Sequence, residues 1–415
     1  MDMAVEFDAS RLQLPRFRLP TAGDLCVPTA ALPSDTTNFA VLELFNAQRE
    51  LHSVPVVQDG VPIGLISRNN FMSRMSKPFH HELYGKKNCT VFMDAAPLIV
   101  DASLAMEELT FRAVAFGEKA LADGFIITRA GAPVGVGYGL ALMNAVAKMQ
   151  AEKNRQIMHS IDYASVIQRS MLRASREALA ASLPDAYLAW QPRDVVGGDF
   201  YHFAAYPDGW FAAIADCTGH GVPGAFMTLI ASSVLSQGLQ RLGPRDPAAL
   251  LAEVNTGVKA MLGQQSMTER GDRSAESNDG LDAAFIWFDA ALRRITFAGA
   301  RVALLTLAEG DAEVATIDGE RMGAGYLDTP AGFSWNNRQA DLAPGALLLL
   351  STDGLTDQIG GPKDIAYGKR RIREQLMANR SASCPELAKA LLADYAAWQG
   401  EQPRRDDLTF FCCRP

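Results

Sequence analysis

Four aspartates each stand at the edge of a short apolar run: Asp199 in VVGGDF, Asp216 in AIADCTGHG, Asp353 in LLSTDGL and Asp406 in RRDDLTF. A run such as FAAIAD delivers its terminal aspartate to a sheet edge, and Gly219 and Gly221 just beyond it allow a turn in which backbone carbonyls and water come close. Carboxylates that converge in this way repel one another unless they are protonated or share a cation. Hard divalent ions such as Mg²⁺ or Mn²⁺ prefer oxygen ligands, and the lack of paired histidines argues against zinc. Two such ions about 3.5 to 4 Å apart lower the pKa of a bridging water and clamp a phosphoryl group during in-line attack, so no side-chain nucleophile is needed. A single Asp-Gly is ordinary turn chemistry. The order and spacing of the four motifs carry the argument.

The region around these aspartates has its own texture. Short apolar strands are expected at 187–190, 210–216, 283–289, 295–298, 303–307, 346–351 and 408–413, and helices at 224–239, 247–261, 369–377 and 384–398. Many short strands with two helical pairs predict an α+β fold, two packed sheets flanked by helices. The polar stretch 263–280 reads as a mobile loop.

Upstream, LHSVPVVQDGVPIGLISRNNFMSRM (51–75) reads as strand, Asp59-Gly60 turn, strand and helix, and FIIT, AGA and VGVGY (125–138) repeat the pattern. This is a tandem β-β-α module. Between Leu140 and Leu179 runs a stretch with no Gly or Pro, whose Ile157, Ile161, Ala164, Ile167 and Met171 keep a 3-4 spacing on one helical face. Two readings stand for this stripe: a two-helix coil joining a sensor to an output domain, which would make a homodimer, or a solitary helix packed on the C-terminal domain. The expected domains are therefore 20–145, a helical connector at 146–180, and 181–415.

In order, V-G-G-D-F-Y, A-D-x-T-G-H-G-V-P-G-A, S-T-D-G-L-T-D and D-D-L-T-F closely resemble the SpoIIE-like branch of the type-2C (PPM) metal-dependent serine/threonine protein phosphatases. The resemblance covers roughly residues 170–414. It implies a PPM-type β-sandwich and hydrolysis of phosphoserine or phosphothreonine on a protein. It also implies two Mn²⁺ or Mg²⁺ ions bridged by the catalytic pair Asp199 and Asp216. Asp353 and Asp406 would complete the second ion's sphere, and Cys217 would ligate through its backbone carbonyl. Asp407 is read as support for a water or a loop. Asp282, in NDGLDAAF, is either a third-ion ligand or a strand-start turn, and His220 either a proton donor or a turn residue. The arginine that grips phosphate in eukaryotic relatives has no firm counterpart, Arg193 being the nearest. Relatives often act on phosphorylated anti-sigma-factor antagonists with a STAS domain, which makes such a protein the implied substrate. The upstream pair, with Pro55, Val56, Val57, Gly60, Gly64, Leu65 and Ile66, resembles tandem cystathionine-β-synthase (CBS) modules, which implies a regulatory site for a nucleotide.

Composition narrows the alternatives. Hydrophobic residues make up 48% of the chain, and no continuous apolar run reaches the ~18 to 20 residues of a membrane span. The N-terminus MDMAVEFDAS lacks the basic and apolar regions of a secretory signal, so a cytoplasmic protein with six reduced cysteines is expected. A formal charge of −8 with no basic, aromatic-bearing stretch argues against nucleic acid. The competing reading is a ligand-sensing scaffold or pseudo-phosphatase that docks a signalling partner, but retention of all four acidic positions speaks against it.

Overall fold

A computed structural model describes residues 20–264 and 278–415. The expected mobile loop 263–280 lies mostly outside the described residues, as does the N-terminal stretch. The chain divides into two compact units, Met1–Gln156 and Ile157–Pro415.

The first unit is an internal duplication. Strands β1 (Val27–Pro28), β2 (Leu32–Pro33), β3 (Ser53–Gln58), β4 (Val61–Ser67), β5 (Ile99–Asp101), β6 (Phe125–Arg129) and β7 (Ala132–Gly137) form two sheets, ordered β2-β3-β4 and β5-β6-β7-β1. In each half a short strand runs parallel to the first hairpin strand, β2 to β3 and β5 to β6. Helix α1 (Asn38–Ala47) precedes the first hairpin and α2 (Arg68–Met75) follows it, with α3 (His80–Tyr84) after that. Helices α4 (Met106–Phe116) and α5 (Glu118–Asp123) precede the second, which leads into α6 (Gly139–Ser182). The hairpins match in detail. Both turn through two residues at positive φ, Asp59 and Gly60 in one, Ala130 and Gly131 in the other, as the right-handed twist of two-residue hairpins requires. Both carry a register shift at the same place, Val56/Val57 and Ile127/Thr128. Each half buries its own core, one around Phe45, Val54, Ile66 and Phe71, the other around Leu109, Phe125, Ile127 and Leu142.

The second unit holds β8 (Ala186–Gln191), β9 (Asp199–Tyr206), β10 (Gly209–Cys217), β11 (Leu281–Asp289), β12 (Arg294–Ala300), β13 (Leu304–Leu307), β14 (Ala315–Ile317), β15 (Arg338–Asp341), β16 (Leu347–Ser351), the short pair β17 (Ile359–Gly360) and β18 (Ile365–Ala366), and β19 (Leu408–Cys413). Its helices are α7 (Gly221–Leu242), α8 (Pro247–Leu262), α9 (Gly368–Ala378) and α10 (Cys384–Gln399). Two five-stranded sheets, β15-β12-β11-β10-β9 and β14-β13-β16-β19-β8, stack face to face. The period of two decides which side each residue serves. Leu348, Leu350, Phe411 and Cys413 enter the core shared with the first sheet and α7–α8, whereas Leu347, Leu349, Phe410 and Cys412 enter a second core under α9 and α10. The resulting α-β-β-α sandwich makes truncation of a residue such as Leu348 cost about 2 to 5 kcal/mol.

Among the described residues, α7 is long and apolar enough to cross a bilayer. Reading for continuous apolar runs passes over it because Thr228, Ser232, Ser233 and Gln237 interrupt the sequence. Its Met227, Ala231, Val234 and Leu235 are instead buried in the core of the sandwich.

Candidate active site

The antiparallel register places three acids on one rung. Asp216, near the end of β10, faces Asp199 at the start of β9 on one side and Asp282 near the start of β11 on the other. Directly opposed residues of paired strands share a face, with Cβ atoms about 4.5 to 5.5 Å apart, so the three carboxylates form a row across the sheet edge. The other sheet supplies the rest. Asp353 opens a 3-10 turn just after β16, and Asp406 lies just before β19, the neighbour of β16. Gly354 sits so tightly on the second strand's approach that a Cβ there would lie 1.8 Å from the Asp407 carbonyl oxygen.

Polar contacts fix these positions. The Thr352 hydroxyl donates to Asp199 Oδ2 at 2.8 Å, joining the end of one sheet to the start of the other. The Trp190 indole N–H donates to the Asp199 carbonyl at 2.9 Å. Asp407 does not join the row. Its two carboxylate oxygens accept the backbone N–H groups of Arg193 and Gly198, each at 2.5 Å, and so hold the loop that carries Asp199. The same loop is gripped from α6, where the buried Gln168 amide donates to Gly197 O at 2.7 Å and to Thr228 Oγ1 of α7 at 3.1 Å and accepts the Gly197 N–H at 3.2 Å. Gly224 of α7 packs against this loop, since a Cβ there would stand 2.3 Å from Gly219 O and 2.8 Å from Gly198 Cα.

Electrostatically, burial and mutual repulsion dominate the paired carboxylates. Burial raises the Asp199 carboxyl despite the hydrogen bond from Thr352. Asp216 is pushed up to about 11 by burial, then by the charges of Asp199 and Asp353. Asp353, the most open of the set, is also raised by burial and is hydrogen-bonded carboxyl to carboxyl with Asp216. Such a pair holds together by sharing a proton, the role a cation takes over when one is present. Among the described residues no three Asp, Glu, His or Cys side chains already enclose an ion-sized point, but the donor set is all oxygen and fits a hard divalent cation in place of that proton. Cys217 is buried, and burial raises its thiol, so its side chain is not a nucleophile.

Asp282 lies apart in character. Burial raises it to about 6 while Arg301, Nη1 at 3.4 Å, pulls the other way. Arg301 stacks over Tyr326, 4.7 Å from the ring centroid. A cavity of about 180 Å³ opens beside Asp216, Asp282 and Asp353, and its cations are Arg301, Lys369 and Arg373. Arg193 is absent from that lining; its guanidinium donates to the Arg405 carbonyl at 3.2 Å. His220 N-caps α7, and its Nδ1 lies 2.9 Å from Asp194 Oδ2 on the loop before Asp199. Nothing local in the sequence marks Arg301, which stands between two strands at positive φ, and although a helix is expected at 369–377, nothing there marks Lys369 and Arg373 as facing the site. Only the tertiary fold assembles them.

The family model described as Stage II sporulation protein E (SpoIIE) matches residues 206–415, half of the chain. The chain belongs to the SpoIIE family. Its second unit is a PP2C-type serine/threonine phosphatase domain. Among solved structures, this SpoIIE-family chain is similar to the SiaA-PP2C domain of Pseudomonas aeruginosa at 37% identity, with a TM-score of 0.57, over 64% of this chain and 99% of that one. It also matches the PP2C phosphatase domain with a regulatory-domain fragment of SpoIIE from Bacillus subtilis at 18% identity and a TM-score of 0.44, over 56% of this chain and 63% of that one. No curated protein matches it.

Proposed function

We propose that this SpoIIE-family phosphatase removes phosphate from phosphoserine or phosphothreonine on a protein, using two Mn²⁺ or Mg²⁺ ions at the aspartate rung. The carrying observation is the shared rung of Asp199, Asp216 and Asp282, with Asp353 drawn to Asp216 from the opposite sheet. Asp199 and Asp216 would hold both ions, the Cys217 carbonyl one of them, and Asp353 and Asp406 the second, while Asp282 is the candidate for a third. When bound, the ions supply charge neutralisation and activation of water for in-line attack on phosphorus. The chain's own residues do the rest. Thr352 and Trp190 orient Asp199, and Asp407 fixes the loop before it. Arg301, Lys369 and Arg373 bind the phosphoryl oxygens, a task for which forked guanidinium donors are suited.

The substrate this reading favours is a phosphorylated STAS-type antagonist, and the first unit regulates the reaction. Its two matched halves suit a CBS-like regulator, with a nucleotide in the cavity of about 420 Å³ lined by His52, Asn69, Tyr138 and Asn144. The proposed setting is cytoplasmic. The test is phosphate release from a phosphoserine STAS protein by the full chain. Turnover should require added Mn²⁺ or Mg²⁺ and stop with chelator. Turnover that survives chelation would overturn the two-ion reading.

A further inference from the structure

Helix α6 carries Arg169, Arg173 and Arg176, whose 3-4 spacing sets three guanidinium groups on one face. They stand over a cavity of about 490 Å³, a size that takes a nucleotide, bounded by Leu172 and by Trp190, Pro192 and Tyr201. Among the described residues no Asp or Glu lines it, although the chain as a whole is acidic at −8. Arg173 pairs with Glu177 at 3.8 Å with both side chains largely exposed, a pairing of little energetic weight. Tyr201 is buried and its hydroxyl donates to the Leu172 carbonyl of α6 at 3.4 Å, which ties the cavity wall to the helix that carries the arginines. Three like charges on adjacent helical turns repel, which makes an anion the natural complement. The floor and wall are aromatic.

We propose that this cavity is a second ligand site, separate from the carboxylate rung, that takes a nucleoside di- or triphosphate, its phosphates on Arg169, Arg173 and Arg176 and its base against Trp190. The guanidinium fork matches phosphate oxygens, and an indole face suits a planar base. The site touches the catalytic layer through its wall. Trp190 donates to the Asp199 carbonyl, and Tyr201 lies two residues beyond Asp199 on β9, so an occupant rests on the strand that positions the rung.

The test uses the full chain in chelator, which keeps ATP from serving as a metal-dependent substrate. Photolabelling with 8-azido-ATP, followed by peptide mapping, should mark the segment 187–201. Titration calorimetry should show ATP binding at least tenfold more tightly than pyrophosphate, and pyrophosphate more tightly than inorganic phosphate. Arg169→Ala with Arg173→Ala, both exposed positions, should abolish that label and leave the melting temperature and the metal-dependent hydrolysis of p-nitrophenyl phosphate within twofold of wild type. Label confined to residues 1–156, or a label at 187–201 that the double variant keeps, would overturn the proposal. Equal affinity for pyrophosphate or for an acidic phosphopeptide would overturn the nucleotide assignment. None of these readouts depends on the identity of the protein substrate.

Discussion

Replacing Asp216 by asparagine removes one charge from the middle of the rung, and its two effects have opposite signs. Turnover should fall by orders of magnitude, because the residue shared by both ions is lost. The metal-free protein should become more stable. A carboxyl whose folded value is raised from the usual range to about 11 binds a proton in the folded state that the unfolded state has released, so its contribution declines as pH rises from about 4 toward 11. Asparagine has no such dependence. Around pH 8 in chelator the variant should melt a few degrees higher, at about 2 to 4 °C per kcal/mol for a unit of this size, and the gap should narrow toward pH 5. Thermal denaturation across that pH range, beside phosphate-release rates, checks both halves. A near-normal rate would mean that the centre lies elsewhere.

At the scale of the element, α6 shows why a pattern of apolar residues can be read correctly and still mislead. The stripe Ile157, Ile161, Ala164, Ile167 and Met171 does run along one helical face, but Ile157 and Ile167 are 58% and 46% exposed. The buried face is displaced from it and includes Ser165, Gln168, Leu172, Ser175 and Leu179. Three of these are polar, and hydropathy gives them no weight. Gln168 earns its burial by satisfying the Gly197 peptide on both sides, a partnership invisible until the fold brings residues 168 and 197 together. Gln168→Ala strands a buried N–H and C=O, a cost of about 1 to 3 kcal/mol. It should raise the Mn²⁺ concentration for half-maximal activity several-fold, while Gln168→Glu, which keeps the acceptor for the Gly197 N–H, should recover part of the loss. Metal titrations of the three proteins decide the point; identical curves would reduce Gln168 to packing. Strand β9 eluded the strand reading because its first residue belongs to the Gly-Gly-Asp turn, whereas β10, β11, β16 and β19 follow from their apolar runs.

For the molecule as a whole, the sandwich and its acidic edge were legible because strand-terminal aspartates and apolar alternation are local signals. The cations of the cavity were not, since Arg301, Lys369 and Arg373 come from a turn and a helix far apart in sequence. The duplicated hairpins of the first unit were legible through Asp59-Gly60, less so through Ala130-Gly131, where alanine takes the positive φ usually left to Asn, Asp or Gly. The partly exposed stripe of α6 leads to a further expectation. If a second copy covers it, Ile161→Asp with Ile167→Asp should shift the full chain toward monomer and alter its metal dependence, as light scattering and activity titrations would record. An unchanged oligomeric state and metal dependence would leave the helix a passive tether. The central claim is that Asp199, Asp216, Asp353 and Asp406 together hold two ions. Its most direct measurement is a Mn²⁺ titration of the metal-free full chain followed by electron paramagnetic resonance and calorimetry: the account predicts two ions per chain in the wild type and at most one in Asp216→Asn, and equal stoichiometry in the two proteins would contradict it.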